Sequence, residues 1–296
     1  MQARACIPRQ HWIISTSVLS ATQHDRTTLL AIRERERASR SEHTYISTHN
    51  MLTITLYWLH KAPSIRSLGK NFPARGKTTT ATMLQTVIEI LYEHIVDALI
   101  KPITPDAPSS IKPTLDHVKI IIDSTFIPLP KAEKDPKYYH PKSPTKSALK
   151  VEIDCDLRHR IVCVSAVVKG SVHDMKLVRG SGILAMINDN TKAIADKGYI
   201  GQLPITTPAR TKRRPSTEVQ QLENESTRRH ELESERAAVE TINQRFKQWA
   251  VVGRGWKSHY EDLTYVNKVV HVLCALVNVT LEEHPIRHGR PLLPNR

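Results

Sequence analysis

No two of the four cysteines in this 296-residue chain form a C-x-x-C pair. Cys6, Cys155, Cys163 and Cys274 are far apart, which argues against a zinc ribbon and against a secreted disulfide framework. Cys155, Cys163 and Cys274 each lie in or beside an apolar segment and read as buried small hydrophobes. Fifteen histidines are present, yet neither H-E-x-x-H nor a His/Cys cluster with zinc-ligand spacing occurs. No uninterrupted apolar run approaches the roughly 18 residues of a membrane span. The longest candidate, Val266 to Val279, is broken by Asn267, Lys268, His271 and Asn278. Acid is scarce: 29 Asp and Glu stand against 43 Lys and Arg, a formal net charge of +14. Such a surplus favours a polyanionic partner, because each phosphate met by Lys or Arg releases a condensed counterion. Membrane surfaces and acidic proteins are polyanionic too, so charge favours nucleic acid without selecting it.

What is there reads as a globular protein, with 40% apolar and 24% charged residues. The length suits one domain of about 150–200 residues and a smaller module. Residues 1–24 carry arginine, serine and threonine but no acid before Asp25, a faint likeness to an organelle transit peptide. Their apolar core, Trp12 to Leu19, is interrupted by Ser15, Thr16 and Ser17, which argues against a secretory signal. Residues 1–44 are therefore expected to be a poorly ordered leader, or to precede a true start at Met51. Within them 25–43 is charge-rich and solvated.

The next segment, 45–101, reads as three helices. Met51 to Leu59 is apolar and ends before Pro63. Ser64 caps a short helix to Phe72, and Pro73-Ala74-Arg75-Gly76 makes a turn. A third helix from Thr78–Thr80 to Ile100 carries Leu84, Val87, Ile88, Leu91, Ile95 and Leu99 at helical period. Three helices, the last two joined by a Gly-containing turn, describe a helix-turn-helix. Residues 102–113, with Pro102, Pro105, Pro108 and Pro113, form a linker.

From 114 to 283 the pattern turns α/β. Strands are expected at His117 to Phe126, Ala148 to Cys155, Ile161 to Val168 and Ala193 to Ala195, with a turn at Asp156 to His159. A Pro- and Lys-rich loop spans Lys131 to Lys146. Helices are expected at His173 to Ile187, Thr227 to Trp249 and Tyr265 to Leu281, and 284–296 is a basic tail. That order suits one mixed sheet with helices packed on it.

Asp123 follows Ile120-Ile121-Ile122, and Asp196 follows Ala193-Ile194-Ala195. A carboxylate ending a buried strand is costly unless something positive neutralises it. Two such strands side by side would set both acids at one sheet edge, a fitting place for a hard divalent ion. Taken singly, either acid also suits a turn or helix cap. Glu240 borders the stripe Leu232, Val239, Ile242, Phe246 and Trp249 and is the candidate third acid, though Arg236 four residues earlier offers it a surface ion pair. Asp174 competes for the second position, but Ser171-Val172-His173-Asp174 fits a capping box.

The strings Ile122-Asp123-Ser124-Thr125, Lys169-Gly170-Ser171-Val172-His173-Asp174, Ile194-Ala195-Asp196-Lys197-Gly198-Tyr199 and Arg236-Ala237-Ala238-Val239-Glu240, with Phe246-Lys247 beyond, resemble the DDE superfamily endonucleases. The PIF/Harbinger transposases and the nucleases derived from them are the group most alike. The resemblance spans about 112–283 and implies an RNase H-like fold and two Mg²⁺ or Mn²⁺ ions. It implies catalytic and metal-holding roles for Asp123, Asp196 and Glu240, with Asp174 structural or one step removed. Val269 to Asn278 is similar to the family's closing helix, and the helix-turn-helix to its small leading module, although Pro73-Ala74-Arg75-Gly76-Lys77 is longer than the usual tight turn. Contacts to double-stranded DNA are expected from Lys77 and Thr79, and from Lys197, Arg210, Lys212, Arg213 and Arg214. Lys212-Arg213-Arg214 equally reads as a weak nuclear-import signal. The expected function is metal-dependent cleavage of duplex DNA in the nucleus. A separate DNA-binding partner protein and a homo-oligomer are both compatible with it. The alternatives are an inert DNA-binding or scaffold protein derived from a transposase, and an RNA-processing enzyme of the same fold. An inert relative would be expected to have lost one of the acids, and all three are present.

Overall fold

Three N-terminal helices lead into a mixed sheet in the computed structural model, which describes residues 46–71, 77–104, 107, 117–200, 205–207, 219–258 and 260–286. The expected leader 1–44, most of the linker and most of the basic tail therefore lie outside the described residues. Helix α1 (Thr48–Lys61) begins at Ser47, whose hydroxyl accepts from the amide of Asn50, and ends at Ala62 in the left-handed region with φ 48°. Pro63 then prevents continuation. Helix α2 (Ile65–Asn71) is capped by Ser64, as the sequence suggests, through a 3.1 Å bond from the amide of Ser67. Helix α3 (Lys77–Leu99) buries the predicted stripe at Leu84, Val87, Ile88, Leu91 and Ile95.

The sheet holds β1 (Val118–Pro128), β2 (Ala148–Asp156), β3 (Ile161–Val164), β4 (Val168–Lys169), β5 (Lys192–Ala195) and β6 (Ile205–Thr206) in the order β3-β2-β1-β5-β6, with β4 also on β2. The first pairings are antiparallel, whereas β1 with β5 and β5 with β6 are parallel. Helices flank this sheet: α4 (Asp174–Gly180), α5 (Val219–Gln248), α6 (Ala250–Gly253) and α7 (Leu263–Glu283). The mixed six-stranded sheet with flanking helices fits the RNase H-like expectation.

Three local differences from the sequence reading have clear causes. The expected strand 161–168 is two strands, because Ser165 turns inward and accepts from the amide of Glu152 at 2.9 Å. The helix expected over 173–187 stops at Gly180; Gly182 takes a positive φ of 84° and a short 3-10 turn, Ile183–Met186, follows. Helix α5 starts at Val219, eight residues before the expected Thr227, in a polar stretch with no apolar period to reveal it.

One apolar cluster joins α1 and α3 to α7, α5, α6 and one face of the sheet, while a smaller one lies on the other face beneath α4. By length and composition alone α7 could cross a membrane, but Val266, Val270, Leu273, Leu276 and Val277 are buried in this shared core. Asn278, also buried, accepts from the amide of Ile161 at 2.8 Å and donates to the carbonyls of Ile161 and Leu99. It ties the edge strand to the end of α3. Asn278→Ala leaves two buried backbone groups of Ile161 and the part-buried carbonyl of Leu99 without these partners and is expected to lower stability by about 2 kcal/mol, read as a shifted denaturant midpoint. Cys155, Cys163 and Cys274 are free and buried, as expected.

Candidate active site

The site follows from strand register. Ile121 pairs with Ile194 and Ile122 with Ala195 on the parallel strands β1 and β5. Asp123 and Asp196 are therefore the next positions on neighbouring strands, whose spacing is about 4.8 Å. Beyond this point β5 ends while β1 continues to Pro128, so the β5 side of β1 opens into a cleft of about 380 Å³. Asp123, Asp196 and Glu240 all line it, together with Asp174.

Helix α5 closes the cleft with a polar stripe beside its apolar one. Val239, Ile242, Phe246 and Trp249 are buried, and Arg236, Glu240, Asn243 and Lys247 recur at i, i+4, i+7 and i+11 along the adjoining face. Arg236 reaches Asp196 at 3.5 Å, and the Asn243 amide donates to Asp123 at 2.7 Å. Arg236 thus serves Asp196, not the surface pair with Glu240 that sequence spacing offers. Lys247 sits 4.1 Å over the Phe126 ring, and Phe126 stacks on His140 at 4.6 Å. Sequence reasoning paired Arg236 with Glu240 and passed over Asn243; the spacing of both with Glu240 along one helix was the signal available for placing them at the cleft.

Asp174 is not the capping-box acid that the sequence suggests. His173 is the N-cap, its Nδ1 accepting from the amide of Met175. The Asp174 carboxylate instead accepts from the Ser124 hydroxyl at 2.7 Å and pairs with Lys150 at 2.6 Å. Those bonds hold its pKa below the ordinary carboxylate value against the opposing effect of burial. Asp196, conversely, does have a local structural role, since it caps the 3-10 turn Lys197–Tyr199 through the amide of Lys197. Gly198 follows it closely, and a Cβ there would lie 2.7 Å from Oδ2 of Asp174. Gly198→Ala is expected to push Asp174 off Lys150 and Ser124 and to reduce the nicking activity expected from the sequence by roughly tenfold with melting temperature little changed, since about 1.4 kcal/mol of lost positioning gives that factor. An unaltered rate would show that the position of Asp174 is irrelevant to cleavage.

Of the expected DNA contacts, Lys197 and Thr79 are exposed outside the cleft lining, the side chain of Lys77 is not among those described, and Arg210, Lys212, Arg213 and Arg214 lie outside the described residues.

The donor set suits a hard cation. Burial is the main reason the Asp123 carboxyl is raised to about 6; Arg236 opposes the shift, while the negative charges of Asp196 and Glu240 add to it. Negative charge gathered in a partly dry cleft is what a dication relieves. Among the described residues, however, no three acid, histidine or cysteine side chains stand close enough to form a ready metal-ligand group. The three carboxylates share a cleft without meeting at a point, Asp196 being held by Arg236 and Asp123 by Asn243.

A family model described as DDE superfamily endonuclease matches residues 122–278, more than half of the chain. The chain belongs to the DDE superfamily endonucleases. No curated protein and no solved structure matches it. The match to this endonuclease family begins one residue before Asp123 and ends at Asn278 on α7, so it contains every acid of the cleft and leaves the three N-terminal helices outside. Membership supports a transposase-type nuclease, a family that generally uses divalent metals and acts on DNA.

Proposed function

We propose that this DDE superfamily endonuclease is a transposase, or a transposase-derived nuclease, of the PIF/Harbinger kind that cleaves duplex DNA with two divalent ions. The observation that carries the reading is the Asp123–Asp196 adjacency, mid-strand on β1 and just past the end of β5, with Glu240 facing the same cleft from α5. Asp123, Asp196 and Glu240 would hold the Mg²⁺ or Mn²⁺ ions. When bound, such ions activate a water or a DNA 3′-hydroxyl and stabilise the departing oxygen.

The chain's own residues prepare this chemistry. Asn243 fixes the Asp123 carboxylate, and Arg236 offsets charge at Asp196 until a cation takes over that role. Lys150 and Ser124 hold Asp174 at the cleft wall. Lys142 and Lys247 line the same cleft and attract the phosphate backbone.

The spread of the three carboxylates favours a second reading, an inert DNA-binding scaffold. Supercoiled plasmid incubated with the full chain and Mg²⁺ or Mn²⁺ separates the two. Nicked circles that are absent with EDTA are the expected product, and intact plasmid under every metal condition would favour the scaffold.

A further inference from the structure

The loop joining β1 to β2, residues 129–147, enters the chemistry above only through Lys142 in the cleft wall, yet it is long, strongly basic and firmly folded. Connections of this length in a compact domain are usually functional or disordered. This one is ordered by its own bonds. The Glu133 amide donates to Ser147 Oγ at 2.9 Å, the Ser143 hydroxyl to the Ser147 carbonyl at 2.7 Å, and the Thr145 hydroxyl to the Leu129 carbonyl at 2.8 Å. Asp135 caps a 3-10 turn, Pro136–Tyr138, and the buried Tyr138 packs edge-on against Tyr260 at 5.7 Å.

On that scaffold Lys131, Lys134, Lys137, Lys142 and Lys146 are all exposed. The loop's two acids are engaged elsewhere: Asp135 by Lys169 at 2.9 Å and Glu133 by the hydroxyl of Tyr260. Between the lysines Tyr139 stands 52% exposed, although large aromatics are normally covered unless they meet a partner. The inner end of the loop enters the active-site cleft, where His140, Pro141 and Lys142 form part of the wall. A lysine-bearing surface with a presented aromatic thus runs outward from the catalytic carboxylates.

We propose that this loop is a preformed clamp for duplex DNA, gripping the phosphates that flank the bond to be cut. The inference rests on the nuclease reading, which supplies the polyanion; the loop supplies fixed positive charge continuous with the cleft. A rigid clamp contributes register and affinity without reading bases, because contacts to phosphate carry no sequence information. The lysines would meet backbone oxygens, and Tyr139 would pack on a sugar or an exposed base face at the duplex edge.

The test is binding of the full chain to a labelled 30-base-pair duplex in EDTA, followed by fluorescence anisotropy across a salt series. Lys131→Gln/Lys134→Gln/Lys137→Gln is compared with wild type and with Lys101→Gln outside the loop. Three lost phosphate contacts are expected to flatten the slope of log K against log salt by about 2.7, at about 0.9 per phosphate, equally for unrelated duplex sequences. Circular dichroism reports folding, and if the triple variant is unfolded the single variants each carry a slope change of about 0.9. Wild-type binding with an unchanged slope in folded variants overturns the clamp and leaves the nuclease reading intact. A wild-type chain that fails to bind duplex at all overturns both.

Discussion

Asp123→Asn should leave the protein folded and abolish metal-dependent nicking, with a loss of at least about a thousandfold. The substitution is close to isosteric and retains an oxygen for the Asn243 amide. It removes the charge that a shared divalent ion requires, and losing such stabilisation at the reacting phosphate costs several kcal/mol of barrier. Asp196→Ala and Glu240→Ala should fall to the same floor, because residues that act as one unit are far from additive. Asp174→Ala is expected to retain part of the activity, since its carboxylate is engaged by Lys150 and Ser124. Plasmid nicking, with melting temperature measured alongside, checks the series. Full activity in any of the first three removes that residue from the centre.

The second large effect concerns stability. Glu152 and Asp154 lie two apart on β2, both completely buried on the face away from α5. Glu152 accepts from the Tyr199 hydroxyl at 3.1 Å, but its other oxygen and both oxygens of Asp154 lack a hydrogen-bond partner. Burial, chiefly, raises Glu152 to about 7 and lifts Asp154 well above its ordinary value. The folded protein therefore keeps a proton on Glu152 that the unfolded chain has lost above its ordinary value of 4.5. With more protons bound in the native state, the Glu152 contribution to unfolding free energy falls as pH rises from about 4.5 to about 7, and the raised Asp154 acts in the same direction. A shift of that size corresponds to roughly 3 kcal/mol at 1.36 kcal/mol per unit. Glu152→Gln can still accept from Tyr199 and cannot ionise. Relative to wild type it should match at pH 4.5 and gain on the order of 3 kcal/mol at pH 8. Denaturant unfolding at both pH values checks this, and a constant offset between the two proteins would refute it.

Much of the fold was legible because its signals are local. The stripe on α3, the cap at Ser64 and the isoleucine run ending at Asp123 each announce an element without knowledge of the rest. The paired acids were legible for the same reason, each directly following a short apolar run, although β1 continues past Asp123 to Pro128. What stayed hidden depends on tertiary placement. Lys150, Glu152 and Asp154 alternate with apolar residues as on a half-exposed strand, yet all nine positions of β2 are buried. The partner of Asp174 is 50 residues away at Ser124, and the partner of Asp123 is 120 residues away at Asn243. The capping-box pattern at Ser171 was a plausible local competitor that the long-range contacts overrode. Gly180 and Gly182, where α4 ends, are helix breakers that the expectation of one helix from His173 to Ile187 passed over.

The structure brings Asp123, Asp196 and Glu240 to one cleft without drawing them into a finished ligand set. Arg236 compensates the charge at Asp196, and Asn243 holds Asp123. Binding of a dication would require Asp196 to release Arg236, a side-chain rearrangement and not a change of fold. The most direct measurement is anomalous diffraction from crystals soaked in Mn²⁺. The expected result is manganese bonded to Asp123 together with Asp196 or Glu240, with Arg236 displaced from Asp196. Manganese absent from this cleft at saturating concentration, with Asp196 still on Arg236, would contradict it.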